Sequence, residues 1–169
     1  MSGFVCQTCG EYHPDLPLCF GAAAPALWFQ IPEEQREARA LLSSDQCIID
    51  DEHFFILGRL ALPIVGTNEN FVWLVWVSLS ESNFDRASAL WHVEGRESEP
   101  PYFGWLQSAL PYASSTLALA TNVHTAPLGE RPFIELQPSD HPLFREQNEG
   151  ITWARVQQIA EESIHATGI

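Results

Sequence analysis

The sequence predicts an α+β fold, a central and mainly antiparallel sheet with flanking helices and an N-terminal loop of zinc-knuckle type. Three observations carry that expectation. Runs rich in β-branched and aromatic residues fill the middle of the chain, from "CIID" at Cys47 to "RPFIELQP" around Ile134. Two capped helical runs close it, "SDHPLFREQNEG" and "ITWARVQQIAEESIHATG". The start, "FVCQTCGEYHPDLPLC", gathers three of the four cysteines and one of the six histidines.

Taken in order, the small residues and Pro25 of "FGAAAPALWFQ" predict a packed loop that bears Trp28 and Phe29. "PEEQREARALL" predicts the first helix: Pro32 suits a first-turn position, Glu33 and Glu34 favour the positive end of the helix dipole, and no β-branched residue interrupts the run to Leu42. From Cys47 the texture turns to strand, with "HFFILGRLALPIV" and "FVWLVWVSLS" separated by the turn "GTNEN". In the second of these Phe71, Trp73, Val75 and Val77 share one face while Val72, Leu74 and Trp76 share the other. A strand apolar on both faces belongs at the centre of a sheet.

"SESNFDRASALWHV" then reads as helix, with Ser80 or Ser82 as N-cap, and "EGRESEPP" as a charged surface loop. Strands resume in "YFGWLQSALP", "TLALATNVHT" and "RPFIELQP", at a spacing that suits antiparallel neighbours joined by short turns. Ser139 or Asp140 is the expected cap of the following helix, Gly150 its stop, and Thr152 the cap of the last.

At 169 residues the chain is read as one domain over 1–169, and with 46% hydrophobic residues and six tryptophans it fills a core without disulfides. The charge is lopsided: 22 acidic against 8 basic residues leave a net charge of −14. Nucleic acid and anionic membranes are disfavoured as partners, because both demand a basic surface. With no apolar run of spanning length, and no basic and apolar signal segment at the start, a cytoplasmic location is expected. In that reducing compartment closely spaced cysteines read as metal ligands before disulfides.

Cys6 and Cys9 form C-x2-C followed by Gly10, a knuckle that turns sharply and aims backbone N–H groups at the sulfurs. Tetrahedral zinc needs two more ligands, drawn from His13, Cys19, Cys47 or His53. Three cysteines and one histidine close the coordination shell, so the expected cofactor is a structural zinc. Redox chemistry is disfavoured, since Gly10 and Pro14 spoil the helix that a thioredoxin-like pair opens.

Two further groups carry candidate chemistry. In "DDEH", Asp51 and His53 share one face if the segment is strand, whereas Asp50 and Asp51 form the tip if it is a hairpin turn. His124, Glu135, Asp140 and His141 fall near strand ends. His92 and His165 read as surface helix residues, and Trp73 and Trp76 as core. Serine-hydrolase and zinc-protease signatures are missing.

The stretches "CQTCGEYH", "SSDQCIIDDEHFFILGRLALPI", "FVWLVWVSLSESNF", "PPYFGWL", "RPFIELQPSDHPL" and "EQNEGIT" together resemble the bacterial proteins grouped as domain of unknown function 2199, from Cys6 to about Glu161. That resemblance implies Cys6, Cys9, His13 and Cys47 as the metal set, because all four fall in matching stretches and Cys19 does not. The family's "LKT" reads "LAT" here, with Ala120 where a lysine is expected. It implies nothing about activity. The leading functional expectation is an acidic module that binds a basic protein partner, one version being an antitoxin-like mask for a basic toxin. Its rival is a metal-dependent hydrolase using Asp51, His53, His124 or His141.

Overall fold

The computed structural model describes residues 4–5, 10–13 and 16–164. The first pairing is a short antiparallel one between β1 (Phe4–Val5) and β2 (Tyr12–His13), in register Phe4↔His13 and Val5↔Tyr12. A strand β3 (Cys19–Gly21), a helix α1 (Ala26–Gln30), a 3-10 turn (Glu33–Gln35) and a single helical turn α2 (Arg36–Arg39) follow. Next come β4 (Ala40–Leu42), β5 (Gln46–Ile49), β6 (His53–Pro63), β7 (Asn70–Leu79) and helix α3 (Glu81–Ala89). A second 3-10 turn (Arg96–Ser98) leads to β8 (Tyr102–Leu106), β9 (Ala120–His124), β10 (Phe133–Leu136), α4 (Pro142–Glu149) and α5 (Trp153–Ile164).

The spine is the β6–β7 hairpin, paired continuously from Phe54↔Leu79 to Pro63↔Asn70. Alternation along it sorts two cores. Phe71, Trp73, Val75 and Val77 of β7, with Ile56, Leu60 and Leu62 of β6, lie in one buried cluster with Leu143, Val156 and Ile159 of the last two helices. The opposite face sends Phe55, Leu57 and Trp76 into a second cluster with Cys47, Ile49 and Ile31. Leu27 and Trp28 of α1 cover it, and Trp76 Nε1 donates to the Ala22 carbonyl at 3.0 Å. Each large side chain buried this way stabilises the fold by about 1.5–3 kcal/mol before entropy is counted.

The strands close on themselves: β6, β7, β8, β9 and β10 form a ring, with β3 added beside β7 and β5 then β4 beside β6. The expected sheet is mainly antiparallel. In fact it is mixed and curled into a five-stranded barrel, because β10 meets β6 in parallel at Phe133↔Arg59 and β3 meets β7 in parallel. Closing so few strands demands close approach. Gly104 supplies it, since a Cβ there would stand 2.4 Å from Val77 Cγ1 and 2.6 Å from the Ser78 carbonyl oxygen. On β10, Gln147 of α4 reads the backbone: its Oε1 accepts from Leu136 N–H and its Nε2 donates to the Ile134 carbonyl, both at 2.8 Å.

Three local expectations are corrected. The loop expected to bear Trp28 and Phe29 is helix α1 from Ala26 to Gln30. The helix expected after that loop stops at Arg39, and Ala40–Leu42 instead becomes strand, pairing Ala40↔Ile49 to Leu42↔Cys47. Here the waiting edge of β5 outweighs the mild helix preference of Ala and Leu. The cap of α4 is His141, with Nδ1 accepting from Leu143 N–H at 3.0 Å, rather than Ser139 or Asp140. Ser80 caps α3 as expected, accepting from Asn83 N–H. Thr152 accepts from Arg155 N–H at the start of α5. The segment 6–9 of the expected zinc-knuckle loop lies outside the described residues. Among the described residues no helix is long and apolar enough to cross a membrane.

Candidate functional site

β6 changes partner partway along its length. Its first half pairs with β5, from Ile49↔His53 to Gln46↔Ile56. Further along, at Arg59, β10 takes its place, in register Phe133↔Arg59. At the handover Leu57 N–H donates to the Asp45 carbonyl at 2.9 Å and Arg59 N–H to the Pro132 carbonyl at 2.8 Å. Two strands that part from one edge leave a seam between them. Across it Arg131 Nε donates to Asp45 Oδ1 at 2.7 Å.

Over this seam opens a cavity of about 720 Å³. Ile56, Tyr102 and Val123 line it and also belong to the barrel core, so its floor is the core itself. Ala87 and Trp91 wall it on the α3 side, and the loop from Thr125 to Pro132 forms the far wall. A cavity of this volume, lined about equally by apolar and polar residues, is large enough to admit a small molecule.

Three of the eight basic residues line the cavity, and their states differ. Arg96 is spent on structure: its guanidinium donates to the carbonyls of Ala126, Trp91, Pro127 and Glu130 and so fixes the loop. Arg131 gives its Nε to Asp45. Burial alone would raise the Asp45 carboxyl, but the bonds from Arg131 and Ser44 outweigh it and hold the group below its ordinary range. Arg59 has only a long ion pair to Glu130, 3.7 Å from its Nη2, and its Nε is buried with no hydrogen-bond partner.

Tyr102 is the second incomplete group. The residue is 7% exposed and its hydroxyl is buried without a well-formed hydrogen bond, although Glu99 and Thr125 lie near. Burial first, and Glu99 second, push the phenol up to about 12. It therefore stays a neutral donor at physiological pH. Arg86 takes Glu99 in a two-point pair at 3.0 and 3.2 Å, which holds that carboxyl below its usual range. Of the three buried side-chain polar atoms without a partner among the described residues, two belong to residues that line this one cavity. A buried unpaired donor costs roughly 1–3 kcal/mol, so two in one place call for a function.

The residues singled out from sequence are dispersed. Cys6 and Cys9 lie outside the described residues, and of His13 only the backbone in β2 is described. Cys47 is 0% exposed among Ile31, Ile49, Phe55, Leu57 and Trp76, where burial pushes its thiol up to about 11. Val5 meets the other side of the molecule, its carbonyl accepting from Gln157 Nε2 of α5 at 3.4 Å. Among the described residues no group of three or more His, Cys, Asp or Glu is placed to share a metal ion.

Asp50 and Asp51 form the tip of the β5–β6 hairpin, with φ of 55° and 52°, so Asp51 does not share a strand face with His53. Arg39 grips Asp50 at 2.8 and 2.9 Å, and that pairing holds the carboxyl below its ordinary value. His124 Nε2 meets Glu135 Oε1 at 3.0 Å on exposed side chains, and Glu135 is lowered chiefly by that contact. His141 is used at both ring nitrogens, Nδ1 as cap and Nε2 against the Ser114 carbonyl at 3.1 Å. This pattern fixes the neutral tautomer protonated on Nε2.

The sequence of these motifs, in this order over the whole barrel, decides the family. The chain belongs to the DUF2199 family. Its family model, described as an uncharacterized protein conserved in bacteria, matches residues 5–151. That match takes in every strand of the barrel and the whole lining of the cavity. No curated protein and no solved structure matches the chain.

Sequence reasoning missed Arg59, Arg131 and Tyr102, and left Trp91 without a place. One signal pointed to the first: a charged residue in the apolar run "HFFILGRLALP", in a chain that has no lysine at all. Nothing local marked the others.

Proposed function

We propose that this protein binds a small organic molecule in the cavity over the β6 seam. The carrying observation is the meeting of a cavity of about 720 Å³ with two buried polar atoms that lack a well-formed hydrogen bond, Arg59 Nε and the Tyr102 hydroxyl. Binding is preferred over metal-dependent hydrolysis because Asp51 and His53 sit at one hairpin, His124 at the end of β9 and His141 at a helix cap. A screen of metabolite-sized compounds by melting temperature tests the reading, with methyl NMR of Ile56 and Val123 to locate any hit. Shifts centred on those two methyl sets support it; saturable binding that leaves them unmoved contradicts it.

A second reading concerns the N-terminus, where the register Phe4↔His13 and Val5↔Tyr12 brackets the segment that carries Cys6 and Cys9. It supports a structural zinc held by Cys6, Cys9 and His13; Cys47, the fourth ligand that family resemblance suggested, is instead enclosed in the second core cluster. Elemental analysis of protein purified without added metal tests it, and less than about half an equivalent contradicts a tightly held structural ion. The net charge of −14 supports a basic protein partner as a separate surface property. Pull-down from the host at low salt, without a stoichiometric partner, would end that idea.

A further inference from the structure

We infer that the cavity takes an organic monoanion, a carboxylate on a flat apolar body, with Arg59 and Tyr102 holding its oxygens. This rests on the reading of the cavity as a ligand site and adds the charge and shape of what enters. Three arginines and two carboxylates, Asp45 and Glu130, line the cavity, an excess of one positive charge among its Arg, Asp and Glu residues. In a protein of net charge −14 that local excess runs against the rest of the chain. One positive charge suits one negative one.

The donors narrow the chemistry further. Arg96 gives four of its five N–H groups to carbonyls and Arg131 gives its Nε to Asp45, whereas Arg59 has only the long ion pair to Glu130 and is the least engaged of the three. A guanidinium edge matches the two oxygens of a carboxylate, and a phenol held neutral adds a third donor. Neither Arg59 Nε nor the Tyr102 hydroxyl can be satisfied by an apolar guest. The body of the guest meets Ile56, Ala87, Val123 and the Trp91 ring, a lining that favours a hydrocarbon or aromatic frame. The cavity volume of about 720 Å³ is far larger than an inorganic anion needs.

The test uses three probes that share one ring system: naphthoate, its neutral amide naphthamide, and naphthyl phosphate. Titration calorimetry gives the affinities for the full chain, and methyl NMR of Ile56 and Val123 assigns the site. Naphthoate is expected to bind about tenfold more tightly than naphthamide, the value of one charge-assisted hydrogen bond set. Arg59→Gln should erase that preference, Arg59→Lys restore part of it, and Tyr102→Phe weaken naphthoate by about three- to tenfold. Arg59 has no hydrogen bond to lose among the described residues, so the unfolding midpoint of Arg59→Gln should match the parent. Equal binding of naphthoate and naphthamide at this site would overturn the anion and leave the ligand cavity standing. A naphthyl phosphate affinity more than about tenfold above that of naphthoate would overturn the single charge. Binding of none of the three would sink the inference and the ligand reading together.

Discussion

Two polar clusters sit on the same barrel and are finished differently. In the first, Trp73 Nε1 donates to the Tyr112 hydroxyl at 3.3 Å and that hydroxyl donates to Glu146 Oε1 at 2.5 Å. Arg155 then closes the set, Nε to Glu146 Oε2 at 2.7 Å and Nη1 to Gln158 Oε1 at 3.0 Å. Burial, then the Glu146 bond, pushes the Tyr112 phenol far up. In the second cluster Tyr102 is buried as well and is also pushed up, yet its hydroxyl and Arg59 Nε are left incomplete. A polar network satisfied within the chain fixes the fold. One left open at a cavity is completed by something else.

The largest expected effect strikes the finished cluster. Glu146→Ala strands the Arg155 guanidinium and the Tyr112 hydroxyl, side chains in a pair only 23% and 17% exposed, and should cost roughly 2–3 kcal/mol in urea unfolding. Loss under about 0.5 kcal/mol, the range of an ordinary surface change, would mean the cluster is decoration. Next comes pH. Cys47 is raised from 9.0 to about 11 by burial, so its folded thiol keeps a proton that the unfolded chain has lost. Stability is thus full below about pH 9 and falls as pH rises toward 11, with a slope of at most about 1.4 kcal/mol per unit from this group. Cys47→Ala should flatten that limb; an unchanged alkaline limb contradicts the burial of the thiol.

A smaller effect belongs to the helix cap. His141→Ala removes the acceptor for Leu143 N–H and the contact with the Ser114 carbonyl, and about 1 kcal/mol of stability should go with them. His141→Asn, which can still cap, should recover most of it. The smallest effect is on the unfinished cluster: Arg59→Gln should change the urea midpoint by no more than about 0.5 kcal/mol equivalent.

What was legible in sequence follows the same division. Richness in β-branched and aromatic residues located β6 and β7, and the two apolar faces of β7 put Trp73 and Trp76 in the core. Ser80, Thr152 and Gly150 marked helix ends by local chemistry that needs no partner elsewhere. The family, too, was legible from the order of its motifs. Closure was not. The barrel depends on one parallel contact, Phe133↔Arg59, between segments far apart in the chain, and no local pattern encodes it.

The cavity inherits that obscurity. Arg59, Tyr102 and Arg131 lie on three separate segments and meet only after β10 has docked on β6. For the same reason Asp51 and His53 looked like a strand-face pair until positive φ at Asp50 and Asp51 made the segment a turn. Residue types declare their chemistry in sequence. Their company is declared by the fold.

The most direct measurement sets the two tyrosines against each other. Tyr112→Phe and Tyr102→Phe each delete one hydroxyl, and each variant is to be unfolded in urea and titrated with naphthoate. The account predicts a crossing: Tyr112→Phe loses about 1 kcal/mol of stability and keeps parental affinity, whereas Tyr102→Phe keeps or gains stability, because a buried incomplete hydroxyl is removed, and loses about three- to tenfold in affinity. Equal loss of stability in both, with naphthoate affinity unchanged in Tyr102→Phe, would contradict it.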